Sequence, residues 1–148
     1  MEILTLRFVL TEDDLNNLLV KFVAIPPKVR DLHARVMSES LSLAGVYESI
    51  LPIPFDTEWR IFVENGKIAA RLASIKAVGL RIDFLKGYML KALSSSSSVL
   101  ELNEDSLVFD VDRFLEEKSV PIKTNLRSVC CDNGRVVIEC GQQGASDA

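Results

Sequence analysis

Between Leu4 and Leu10 every second residue is apolar. Leu4, Leu6, Phe8 and Leu10 fall on one face, so Glu2 to Leu10 predicts a strand. The period then changes. Leu15, Leu18, Leu19, Phe22 and Val23 recur at helical spacing, and Thr11 with Asp14 three residues on supplies a box-like cap. Ile25-Pro26-Pro27 stops that helix. Alternation returns from Val29 to Tyr47, where Leu32, Ala34 and Val36 interleave with Asp31, His33 and Arg35. Leu41 and Leu43 then interleave with Ser40 and Ser42, which predicts two strands joined near Ser38-Glu39, with Gly45 permitting a bend.

One phrase is written twice. Glu64-Asn65-Gly66-Lys67-Ile68 recurs as Asp132-Asn133-Gly134-Arg135-Val136, with Pro52-Ile53 and Pro121-Ile122 upstream of the two copies. Asn-Gly tolerates the two consecutive positive φ values of a type I′ turn, so each phrase predicts a β-hairpin and its register. In the first, Glu64 opposes Lys67, Val63 opposes Ile68, Ile61 opposes Ala70 and Trp59 opposes Leu72, the last three pairs sharing an apolar face. The other face carries Phe62/Ala69 and Arg60/Arg71. In the second, Asp132 opposes Arg135, Cys131 opposes Val136, Val129 opposes Ile138 and Arg127 opposes Cys140.

From Ile68 to Ile82 the even positions are largely apolar and the odd ones mostly small, with Ser74 and Lys76 interrupting. This predicts a long strand with a bulge or strong curl. Asp83 is read as the cap of Phe84 to Leu93, a segment apolar nearly all round and so expected to be buried on more than one side. Ser94 to Ser98 reads as a loop, and Val99–Leu102 and Ser106–Val111 as a hairpin about Asn103-Glu104-Asp105. Asp112 to Lys118 suits one helical turn. The order is strand, helix, several strands, a buried helix and four more strands. The expected class is α+β: a strongly curved antiparallel sheet wrapped around a long buried helix, with an N-terminal helix.

A chain of 148 residues is most simply one domain, here residues 1–141, followed by a disordered tail at 142–148. Its net charge of −4, with no basic cluster, argues against nucleic acid as a partner. Mean hydropathy is +0.20, yet no apolar run reaches the length of a membrane span, so no integral membrane segment is expected. MEILTLRFVLTEDD does not read as a signal peptide. Cys130, Cys131 and Cys140 form no disulfide framework, which favours reduced thiols and a cytoplasmic location. The apolar excess calls for a large core, a lined cavity or a subunit interface.

Catalytic chemistry is thinly represented. His33 is the one histidine and sits among the polar positions of a predicted strand. The acid pairs Asp13-Asp14, Glu104-Asp105 and Glu116-Glu117 suit a helix start, a turn and a polar face, and do not converge from separate elements as a catalytic pair must. Cys130-Cys131 lacks redox or zinc spacing, and the serine run lacks the glycines and base of a phosphate loop. No catalytic residue, metal or cofactor is expected. The remaining candidate is the apolar set Trp59, Phe62, Leu72, Phe84, Tyr88, Met89 and Leu93, as plain core or as the wall of a ligand groove between sheet and helix.

Three stretches resemble a known family. Leu10 to Leu19 (LTEDDLNNLL) resembles the opening helix of small bacterial LmeA-like proteins, members of the wider tubular lipid-binding (TULIP) group. Glu64 to Leu80 (ENGKIAARLASIKAVGL), with the segment after it, is similar to that family's central hairpin and long strand. Ser119 to Gly141 (SVPIKTNLRSVCCDNGRVVIECG) is similar to its final hairpin. The resemblance implies a curved sheet rolled about a helix, with a lipid or other long apolar molecule in the furrow. It brings no catalytic residues. The expected function is non-catalytic binding of a lipid-like or other apolar ligand. The alternative is a protein–protein interaction module or homodimer without a ligand.

Overall fold

The computed structural model describes residues 5–22, 27–77, 82–95, 99–103, 106–120 and 123–141. Among them are nine strands and three helices. The first part of the chain contributes β1 (Thr5–Thr11), α1 (Glu12–Phe22), β2 (Val29–Val36), β3 (Leu41–Glu48), β4 (Pro52–Glu64) and β5 (Lys67–Ala77). The remainder contributes α2 (Ile82–Ser94), β6 (Leu100–Asn103), β7 (Ser106–Phe109), α3 (Val111–Glu117), β8 (Leu126–Asp132) and β9 (Arg135–Gly141). Expectations for residues 1–4, 23–26, 78–81, 96–98, 104–105, 121–122 and the tail 142–148 lie outside the described residues.

Local chemistry accounts for the elements. The Thr11 N–H donates to Asp14 Oδ2 at 2.9 Å and the Asp14 N–H to Thr11 Oγ1 at 3.2 Å, the reciprocal cap that starts α1. Both Asn-Gly turns have positive φ at both residues, 52° and 74° at Asn65-Gly66 and 23° and 90° at Asn133-Gly134. The first hairpin takes the expected register from Glu64↔Lys67 to Trp59↔Leu72. The second holds from Asp132↔Arg135 to Val129↔Ile138, but a register break then places Leu126, not Arg127, opposite Cys140. Asp83 lies inside the first turn of α2 instead of capping it. Asp110 caps α3, its side chain accepting from the Arg113 N–H at 3.1 Å.

The architecture corrects the expected one. Strands form two antiparallel sheets, β1-β9-β8 and β2-β3-β4-β5-β7-β6, where a single curled sheet was expected. The larger sheet is not strongly curled and surrounds no long buried helix. The interruption at Ser74 and Lys76 is absorbed by a bulge between Glu58 and Trp59, which restores the apolar phase without rolling the sheet. The helix Ile82–Ser94 buries Leu85, Met89, Leu90 and Leu93, one stripe at helical spacing, while Phe84 is 51% exposed and Gly87 and Lys91 face solvent. Counting apolar residues around the helix overstated its burial because those at the stripe's margins stay at the surface. The strand-rich α+β composition itself stands.

The main core joins α2 to Val29, Leu43, Tyr47, Phe55, Trp59, Leu72 and Leu107 of the large sheet, with Leu15 and Leu19 of α1 packed beside them. A second cluster, Val36, Cys131 and Val136 with Leu10, Leu41 and Ile61, ties the small sheet to the large one. Gly45 serves the first core: a Cβ there would meet the Arg30 carbonyl and Phe55 Cζ, both at 3.1 Å.

Candidate functional site

The seven apolar candidates divide three ways. Trp59, Leu72, Met89 and Leu93 are together in the main core, Trp59 at 1% exposure and Met89 at 0%. A chain of hydrogen bonds locks the indole there. Trp59 Nε1–H donates to Thr57 Oγ1 at 2.8 Å, and the Thr57 hydroxyl donates to the Leu43 carbonyl at 2.7 Å. Phe62 lies on the opposite face of β4, with the Arg71 guanidinium 5.6 Å from its ring centroid. Phe84 and Tyr88 sit at the rim of the core and gather around Tyr47, whose ring meets theirs edge-on at 6.1 and 5.5 Å.

This aromatic group lies at one end of the β3–β4 ladder. Tyr47 pairs with Ile53, and the next pair, Glu48↔Pro52, closes the β3–β4 ladder. The turn beyond it presents Ile50, 99% exposed, and Leu51, 73% exposed, while Phe84, whose ring meets that of Tyr47, is 51% exposed. The Glu48 N–H donates to the Lys28 carbonyl, and Arg30 pairs with Glu48, so the flanks are polar and of mixed sign. Tyr47, Ile50 and Leu51 were not among the candidates from sequence. The signal was present in Ser49-Ile50-Leu51-Pro52, where two apolar residues occupy a turn that ordinarily takes polar ones.

Two hollows lie elsewhere. On the outer face of the large sheet, a shallow one of about 410 Å³ has a floor of Ala44, Val46 and Pro54 and a rim of Asp31, His33, Asp56 and Lys76. The His33 Nδ1 lies 3.0 Å from the Asp31 carbonyl, and Asp56 accepts from the Ser42 hydroxyl at 2.7 Å. Asp31, at the rim of this hollow, takes a positive φ of 56° where the β2–β3 register breaks. The other, about 480 Å³, is polar and lined by Asn65, Lys67, Asp110, Asp112, Glu116 and Asn125 among others. Its carboxylates hold the fold: Asp112 accepts from the Thr124 N–H at 2.9 Å and its hydroxyl at 2.7 Å, and Asp110 caps α3.

Among the described residues no cluster of three His, Cys, Asp or Glu side chains is placed to hold a metal ion. Cys130 is exposed, whereas Cys131 and Cys140 are buried. Burial, and secondarily the neighbouring Cys130, pushes the Cys131 thiol up to about 11, which leaves it protonated and unreactive near neutrality. Burial also raises the Cys140 thiol.

No helix among the described residues is long and apolar enough to cross a membrane. Compared with known proteins, the chain matches no family model, no curated protein and no solved structure.

Proposed function

We propose that this protein is a non-catalytic binding protein for lipid, and that it engages a bilayer surface through the exposed side chains of Ile50, Leu51 and Phe84, with Tyr47 and Tyr88 packed behind Phe84. The observation that carries the reading is the near-complete exposure of Ile50 and Leu51 at a turn backed by an aromatic cluster.

Magnitude favours lipid over protein at this end. Burying Ile50, Leu51 and Phe84 removes on the order of 300 Å² of apolar surface from water. A stable protein interface needs roughly 800 Å² from each partner. A bilayer demands no matching surface. Full burial of Ile50 and Leu51 contributes about 3–6 kcal/mol, a weak and reversible partition comparable to that of a single acyl anchor. The net charge of −4 adds no preference for anionic lipid.

Co-sedimentation with phosphatidylcholine vesicles tests it. The wild-type chain is expected to pellet with vesicles at millimolar lipid, no less than with phosphatidylserine vesicles. The Ile50→Ser/Leu51→Ser variant is expected to stay in the supernatant. A wild-type chain that remains soluble throughout, or a variant that pellets equally, overturns the proposal.

A further inference from the structure

The two sheets have four edges, and three are dealt with inside the chain. Along β2, Asn16 Oδ1 accepts from the Ala34 N–H at 2.7 Å, Asn16 Nδ2 donates to the Ala34 carbonyl at 3.0 Å, and Glu12 Oε1 accepts from the Val36 N–H at 2.9 Å. Helix α1 thereby caps that edge. Strand β8 packs one face against β4, with Val129 and Cys131 beside Ile61, and keeps the charged Arg127 and Asp132 in the open, which blunts its edge. Strand β6 is four residues long and keeps Glu101 and Asn103 in the open, features that blunt an edge.

Strand β1 differs. Its seven residues pair only with β9 among the described strands. Leu6, Arg7, Phe8 and Val9 are all exposed, so neither face of this stretch is covered. The strand has no proline, and Arg7 is its one charged residue. Its hydrogen-bond phase can be read at the end. The Glu12 N–H donates to the Gly134 carbonyl across the hairpin, while the Thr11 N–H turns away to Asp14. Alternation back along the strand then points the N–H and C=O of Val9 and Arg7 outward.

We propose that the free edge of β1 pairs antiparallel with β1 of a second copy of this chain, about a two-fold axis at Phe8. This register sets Arg7 against the partner's Val9 and Val9 against the partner's Arg7, as hydrogen-bonded pairs that use the outward groups of both strands. Phe8 lies opposite the partner's Phe8 in the closer, non-hydrogen-bonded pair, and Leu6 opposite the partner's Leu10. No like charges stand directly opposite. Each Arg7 already has Glu139 across from it in its own sheet, so the strand does not repel its copy. The contact is isologous and closes at two chains, merging two three-stranded sheets into one of six. A second copy is the favoured occupant because the strand is complementary to itself in the phase its own hydrogen bonds impose, so main-chain hydrogen bonds and not apolar area carry a weak, reversible contact. The inference does not depend on the lipid reading.

Sedimentation velocity of the wild-type chain over a concentration series is expected to show reversible monomer and dimer, with Phe8→Lys shifting the boundary to monomer. Register is tested by oxidation with diamide in a Cys130→Ser background. Phe8→Cys is expected to give a covalent dimer, since the self-opposed position meets its copy at a separation that suits a disulfide. Arg7→Cys and Val9→Cys are expected to cross-link poorly alone and efficiently when mixed. A wild-type chain that is monomeric at every concentration overturns the proposal, as does equal cross-linking at all three positions. A monomer that takes up an extended foreign peptide along β1 also overturns it, in favour of another occupant.

Discussion

Replacing Thr57 by Val tests how the core holds its one tryptophan. Thr57 and Trp59 are each 1% exposed, and a single hydroxyl serves both as acceptor for the indole N–H and as donor to the Leu43 carbonyl. Valine keeps the shape and removes the hydroxyl. The indole N–H then has no partner in a place water does not reach, at a cost of about 1–3 kcal/mol, and the carbonyl loses a bond worth about 1 kcal/mol. The added methyl returns roughly 0.8 kcal/mol. The net expectation is a loss of about 1–3 kcal/mol, or a fall in Tm of roughly 3–10 °C for a domain of this size. Thr57→Ser keeps the hydroxyl and should lose only about 1 kcal/mol for the methyl.

Urea unfolding followed by Trp59 fluorescence measures both variants directly, because the chain has no other tryptophan. A Trp59→Phe background, followed by circular dichroism, isolates the hydrogen bond: without the indole N–H, Thr57→Val should cost less by about 1 kcal/mol or more. Should Thr57→Val match the wild type, or cost the same in both backgrounds, the hydroxyl is not what holds the indole and the reasoning fails.

Three further expectations follow from the same geometry. Asn16→Ala should speed amide exchange at Ala34 and leave Val36, held by Glu12, protected; equal loss at both would mean that α1 caps the β2 edge only as a unit. Gly45→Ala should destabilise by about 1–3 kcal/mol in urea, because the new Cβ meets a backbone carbonyl that cannot yield, outweighing the ~0.4–1 kcal/mol gained from a stiffer unfolded chain. For Cys131 the folded thiol titrates at about 11 and the unfolded one near 9.0, so its contribution to stability is intact below pH 9 and is lost as pH rises towards 11. The slope of stability against pH in that window should be shallower in Cys131→Val, and an unchanged slope would contradict the assigned burial.

Most of the local structure was legible because its determinants are local. An Asn-Gly pair settles turn type, and turn type settles register, so Trp59↔Leu72 and Cys131↔Val136 follow from two letters each. The Thr11–Asp14 cap is equally self-contained. What could not be read is what distant segments decide. The break that moves Leu126 opposite Cys140 has no signal in Leu126 to Ser128 themselves. Nothing in the pattern of β1 says that it pairs with the last strand, or that β5 reaches past α2 to β7. The expected single sheet failed at that level: every strand was anticipated, but their partition into two sheets is a long-range outcome.

The candidate site shows the same division, and it redirects the argument from hydropathy. A mean of +0.20 without a membrane-spanning run calls for a large core, a lined cavity or a subunit interface. Trp59, Leu72, Met89 and Leu93 instead fill an ordinary interior, and part of the apolar surplus is on the outside. Ile50 and Leu51 occupy a turn, and Leu6, Phe8 and Val9 an edge strand, both places where local rules call for polar or charged residues. Where several such violations adjoin one another, exposure is costly in water, and it is tolerated when something other than water covers the patch. A bilayer at the turn and a second copy at the edge are distinct covers, so removing one should leave the other unchanged: Ile50→Ser/Leu51→Ser should abolish vesicle binding and still dimerise, and Phe8→Lys should do the reverse. Loss of both properties in either variant would show that a single surface, or the fold itself, had been damaged.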